Sequence, residues 1–245
     1  RYAIQAGQLP GWNPYMCGGS PNLANPQPFF LSAALPLSFL VGEVVATKLA
    51  ITISLAIGIA GMVFLAQTLG LRGPALFLPA LIFPLSGFMT SHLANGQLLW
   101  LTVDYLPWIV LGFVRALRSS RWWLLLAGGL TALTFIEGRV YLVAYIVALL
   151  AILGLGYAVA RRSWRPLVHV ALALFLAVGL AAWKILPTLW FLHDRVQALA
   201  NTDGIPLAAL DDAFLVRSVT TNVDDTYYMI GTAAGALGVV AFSLL

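Results

Sequence analysis

From Leu49 onward the chain is a succession of apolar runs, most of them about as long as a bilayer is thick, each closed by a few polar residues. The runs are Leu49–Leu69, Pro74–Ser91, Leu98–Val114, Trp122–Ile136, Val140–Ala160 and Leu167–Leu186, and another, Ile230–Leu245, begins after a long polar segment. About 20 helical residues cross the ~30 Å of bilayer hydrocarbon. In that solvent each backbone N–H and C=O must find its partner inside the chain, so runs of this length become helices. Composition points the same way: of 245 residues, 61% are hydrophobic and 9% charged, where a soluble domain carries about 25% charged residues. The expected fold is all-α, a polytopic transmembrane helix bundle with ordered outer loops. The chain opens at Arg1 in a polar loop and stops at Leu245 within an apolar run, so it is expected to be a piece of a longer protein.

The spans differ in detail. Leu49–Leu69 has the small pairs Ser54/Gly58 and Ala56/Ala60, four residues apart, which allow close helix contact. Pro79 and Pro84 bend the second span. Asp104 and Pro107 interrupt the third, where Pro107 frees the Val103 carbonyl and opens the helix. The fourth is short and needs its ends shielded by neighbours. Residues 29–42 are too short to span and contain Pro36, so they are expected to lie at the interface or to re-enter. Residues 188–229 form a polar outer loop, with Pro206–Val219 as an amphipathic surface helix. The domain 29–245 is thus preceded by an outer loop, 1–28. Within that loop Pro14, Pro21, Pro26 and Pro28 fix φ and Gly18-Gly19 permit positive φ, so a stiff, specifically shaped segment is expected. The lone cysteine, Cys17, reads as a packing residue.

Alternate crossing gives the loops sides. One side receives Arg72, Arg115, Arg118, Arg121, Arg161, Arg162 and Arg165 and no acid. The positive-inside rule makes that side cytoplasmic. Loops 1–28 and 188–229, the 92–97 connection and the turn Glu137–Arg139 then face outward from the plasma membrane. Glu43, Asp104, Glu137, Asp194, Asp203, Asp211, Asp212, Asp224 and Asp225 all fall in those loops or near the outer ends of spans. The net charge of +4 does not indicate nucleic acid, because the basic residues are scattered between apolar runs.

Ionisable groups at membrane depth are costly, so each needs a partner or a function. Asp104 reads as a carboxylate at a cavity floor or as a helix-end acid paired with a cation. Glu137 and Arg139 read as a carboxylate and guanidinium able to hold a sugar hydroxyl or a phosphate. His92, Asn95 and Gln97 form a polar cluster suited to hydrogen bonding. A metal role for His92 is disfavoured because no second His or Cys has suitable spacing. His169 reads as structural. Lys48, Lys184 and Arg195 are cations on the outer side, placed either to meet a lipid-linked phosphate or to snorkel. Trp12, Asn13 and Tyr15 belong to the first loop, and Trp100, Trp108 and Trp190 read mostly as interfacial belt. No nucleotide-binding, Ser-His-Asp or zincin motif occurs. No cofactor is indicated, and a divalent metal stays open.

Several stretches resemble the YfhO-type bacterial membrane proteins, relatives of the GT-C glycosyltransferases. They are Gly7–Tyr15, Gly18–Gln27, Ser86-Gly87-Phe88 through His92, Leu106-Pro107-Trp108, Ala182–Thr188 and Tyr227–Gly231. The first loop is the most specific of them. The resemblance implies an enzyme that moves a sugar from a polyprenyl-phosphate donor to a glycan, lipid or protein acceptor on the outer face, with inversion. It also implies a first-loop acid shortly before Gly7. Residues 1–6 contain none, so that acid is expected upstream of Arg1. The alternatives are a transporter of lipid or polysaccharide precursors, which needs polar residues through the bundle, and a non-catalytic envelope assembly protein.

Overall fold

The computed structural model describes residues 11–14, 19–26, 31, 32, 34–84 and 86–193, together with positions 4 and 7. Tyr15, Cys17, Arg195, the loop from residue 194 with its expected surface helix, and the seventh span lie outside the described residues.

The architecture is a helical bundle. A short helix α1 (Ala34–Val41) meets α2 (Glu43–Leu69) at Gly42, whose φ of 80° lies in the left-handed region. A 3-10 turn, Gly73–Leu76, leads into α3 (Phe77–Ile82), and α4 (Gly87–Ala94) follows. Next come a 3-10 segment, Leu98–Tyr105, and α5 (Leu106–Arg118). The bundle is completed by α6 (Trp123–Ile136), α7 (Val140–Arg161) and α8 (Arg165–His193). Five stretches are long and apolar enough to cross a bilayer: Glu43–Leu69, Gly73–Thr90, Leu98–Arg118, Val140–Arg161 and Arg165–Phe191. Bulky side chains such as Leu40, Val44, Phe175, Leu186 and Trp190 point out of the bundle. In water such a surface would be untenable, and in lipid it is the expected coat. This is a multi-pass membrane protein.

Prolines shape the elements unequally. At Pro84 the second span breaks rather than bends. The Phe83 N–H makes a last helical bond to the Pro79 carbonyl, at 3.1 Å, and Pro84 has no N–H to continue the ladder. Pro107 does not leave the Val103 carbonyl free: the Leu106 N–H takes it, and the chain tightens to 3-10 geometry before α5 begins. Pro187 interrupts nothing. α8 runs through it for 29 residues, so the segment 188–193, expected as loop, is helix. One missing bond is tolerated where Leu189, Trp190 and Phe191 keep the next turn in hydrocarbon.

Side-chain contacts fix the helix directions. α2 and the third span run parallel. Ser54 Oγ donates to the Leu101 carbonyl at 2.7 Å, Trp108 Nε1 to the Ile57 carbonyl at 2.8 Å, and Arg115 Nε to Thr68 Oγ1 at 3.3 Å. Arg118 also donates to the Thr68 carbonyl. α5 and α6 run antiparallel, with Gly112 against the Trp123 carbonyl and Ala127. α6 and α8 run parallel, with Gly128 against Ala173 and Ala177 and the Ile136 carbonyl beside Lys184. α7 and α8 run antiparallel, with Gly154 against Val170. One end of the bundle therefore gathers Thr68, Arg115, Arg118, Arg161 and Arg165. The other gathers Tyr105, Glu137, Arg139 and Lys184. Between the ends lies an apolar core that includes Ile109, Phe113, Ala127, Ile146, Leu150, Val170 and Ala173.

The small pair Ser54/Gly58 faces this bundle, whereas Ala56 is exposed. Trp108 is not part of an interfacial belt: its ring lies against Gly61 and its N–H is bonded within the α2–α5 interface.

Candidate functional site

The site is built on the end of α6. A helix leaves its last four carbonyls without intrahelical partners. Here the Glu137 N–H takes Leu133, the Arg139 N–H takes Thr134 at 3.1 Å, and the Gly138 N–H takes Phe135 at 2.9 Å. Gly138 has φ of 88°, the left-handed conformation that this termination requires and that glycine adopts without strain. The fourth carbonyl, Ile136, accepts from Lys184 Nζ at 2.5 Å. A cation at a helix C-terminus also complements the helix dipole. Lys184 therefore does not snorkel outward as an interfacial lysine would. It is 0% exposed and locks α8 to the α6 cap.

That termination places Glu137, Arg139 and Lys184 in one another's electric field. Glu137 and Arg139 are both buried. Burial lowers the Arg139 pKa to about 10 while the Glu137 charge works to raise it, so the guanidinium stays cationic at neutral pH. The Tyr105 hydroxyl donates to Glu137 Oε1 at 3.5 Å, tying this turn to the third span.

Beside this cluster is a pocket of about 60 Å³, lined by Ser32, Ala34, Leu37, Ser54, Thr102, Tyr105 and Glu137 among others. A water needs roughly 10–15 Å³ of such space, so the pocket takes a few waters or a hydroxyl-bearing group. Its lining brings the chain just after the first loop next to the Glu137 turn.

Asp104 lies one layer deeper and is not in that lining. It is 0% exposed. Its Oδ2 lies within hydrogen-bond distance of Ser54 Oγ, at 2.8 Å, while among the described residues Oδ1 has no hydrogen-bond partner. The carboxylate fits only because residue 58 is glycine: a Cβ there would stand 2.3 Å from Oδ1. Asp104 thus joins α2 to the third span, with Ser54 as its hydrogen-bond partner.

The other expected residues fall elsewhere. His92 is 1% exposed, its ring stacked on Trp100 at 4.7 Å and edge-on to Phe88 at 4.3 Å. Burial lowers its pKa, with a hydrogen bond from the ring to Gln97 acting in the opposite sense. Gln97 Oε1 accepts from Trp100 Nε1 at 3.2 Å, and Asn95 is exposed in the adjoining turn. None of the three lines the pocket. Trp12 and Asn13 pair in a two-residue antiparallel ladder with Pro21 and Ser20. The Trp12 ring lies against Gly19, where φ is 114° and a Cβ would meet the ring at 2.4 Å. The described part of the loop is thus shaped by a tryptophan folded over a glycine.

Sequence reasoning missed Ser32, Thr102 and Tyr105, and it saw Ser54 only as a small residue. A hydroxyl in an apolar run is the one signal these residues carry, and it is weak. Among the described residues no three His, Cys, Asp or Glu side chains come together. No protein-family model, no curated protein and no solved structure matches this chain.

Proposed function

We propose that this chain belongs to an integral-membrane glycosyltransferase of the GT-C kind, related to the YfhO-type proteins, that transfers a sugar from a polyprenyl phosphate on the outer face of the membrane. The observation that carries this reading is the buried Glu137 carboxylate, held at a pocket beside Arg139 and Lys184 and next to the first-loop side of the chain. In the proposed reaction the acceptor oxygen bonds to the anomeric carbon as the bond from that carbon to the phosphate oxygen breaks. The bonding pair leaves with the phosphate, and the acceptor proton passes to a carboxylate. Glu137 is suited to that proton, and Arg139 is suited to the charge gathering on the departing phosphate. Lys184 and Tyr105 hold the Glu137 turn in place. The donor is met from the bilayer, and the acceptor is a glycan, lipid or protein.

A second reading, an envelope assembly protein without catalysis, draws on Asp104 and Lys184, both fully buried and both engaged in joining helices. The test is sugar transfer from a labelled polyprenyl-phosphate sugar to membrane acceptors. Glu137→Gln should lower transfer by about 10²–10⁴-fold, the usual contribution of a general base, with the protein still folded. Undiminished transfer would remove Glu137 from the chemistry, and no transfer even by the unaltered protein would favour the assembly reading.

A further inference from the structure

The opposite end of the bundle holds a second cavity, of about 360 Å³, lined by Ala116, Leu117, Arg161, Ser163, Arg165, Pro166 and His169. That volume falls within the ~300–1,000 Å³ of small-molecule clefts. It forms where the ends of α5 and α7 meet the start of α8. Arg161 is anchored there: Nη1 donates to the Leu117 carbonyl at 3.1 Å, and the guanidinium lies 5.3 Å from the Tyr157 ring centroid. A guanidinium has five N–H donors, so this anchoring leaves others for an anion. Arg165 and His169 lie one turn apart on α8, joined where His169 Nδ1 meets the Arg165 carbonyl at 2.7 Å.

Three features say what kind of anion fits. The described carboxylates, Glu43, Asp104 and Glu137, all belong to the other half of the bundle, so none neutralises these arginines. Trp122 and Trp164, 69% and 79% exposed, flank the same end. Large exposed tryptophans at span ends mark the headgroup level of a bilayer. Finally, the cavity wall is half apolar, through Ala116, Leu117 and Pro166, as the first carbons below a phosphodiester require. Basic pockets between spans at headgroup depth are suited to anionic lipids.

We infer that this cavity binds the phosphodiester headgroup of an anionic phospholipid, with Arg161 and Arg165 as its ligands. The site is separate from the sugar-transfer pocket and does not depend on it.

The test is lipid retention by the purified protein in detergent, read by native mass spectrometry after adding phosphatidylglycerol or phosphatidylcholine. Phosphatidylglycerol should be retained in clear preference, and Arg165→Gln or Arg161→Gln should each weaken that retention about fivefold. Arg72→Gln, at the same end but outside the cavity lining, should leave it unchanged. Equal retention of the two lipids by the unaltered protein would overturn the proposal whether or not the variants fold. An equal loss in the Arg72 variant would mean diffuse attraction and no built site. Displacement of phosphatidylglycerol by inorganic phosphate at similar concentration would make this a free-phosphate site, and the lipid assignment would fail.

Discussion

At Gly58 a single hydrogen atom decides whether Asp104 can be buried. A methyl group there would stand 2.3 Å from Oδ1, 2.9 Å from Cγ and 3.2 Å from Cβ of Asp104, so more than the tip of that side chain would have to shift. Gly58→Ala should therefore cost about 1–3 kcal/mol, the usual range for overpacking. Thermal unfolding in detergent measures it. Gly156→Ala, where nothing lies within 4 Å, is the control and should be near neutral. His92 offers a test by pH. Its folded pKa is depressed from 6.5 by burial, so the unfolded chain binds its proton first as the pH falls. The stability His92 contributes is complete above 6.5 and is lost as the pH falls through that value toward the folded pKa. His92→Phe should flatten the decline in unfolding temperature between about pH 8 and pH 5. Both residues were visible in the sequence, but their surroundings were not. Asp104 finds Ser54 fifty positions away. A serine in an apolar run gives no sign of whether it bonds its own helix, as Thr131 does, or a distant carboxylate. His92 stood out as polar next to Asn95 and Gln97, yet its stack on Trp100 makes it part of an aromatic end-cap.

Among elements, the contact between α6 and α8 depends on which of two neighbouring glycines faces the partner. A Cβ on Gly128 would meet the Ala173 carbonyl at 2.7 Å, and one on Gly129 would meet nothing within 4 Å. Gly128→Ala should push the two helices apart and lower the unfolding temperature, while Gly129→Ala should not. Equal effects would mean that the helices are rotated relative to this packing. The existence of the spans was legible because apolar length alone determines it. Their interruptions were less so, since a proline acts through its neighbours. Pro84 stops a short helix that has already lost a turn to 3-10 geometry. Pro187 sits in the middle of continuous hydrocarbon and is carried through. Lys184 was expected near the surface because lysine ordinarily reaches for water. What holds it inside is an unpaired carbonyl at the end of a helix 48 residues earlier in the chain, which no local pattern announces.

On the scale of the molecule, the five long apolar stretches and the shorter helix Trp123–Ile136, running in alternation among the described residues, put the arginine turns at one end and Glu137, Arg139 and Lys184 at the other. This separation was readable from charge alone, because lipid excludes charge from everything between. Which end faces the cytoplasm determines whether the Glu137 pocket meets a polyprenyl-phosphate sugar outside the cell. Single cysteines placed in a Cys17→Ser background and treated with a membrane-impermeant maleimide measure this directly. Asn95→Cys, in the exposed turn at the Glu137 end, should be labelled in intact cells. Ser119→Cys, at the arginine end, should be labelled only after the membrane is opened. The reverse pattern would put the carboxylate and its cations in the cytoplasm and contradict the proposed sugar transfer on the outer face.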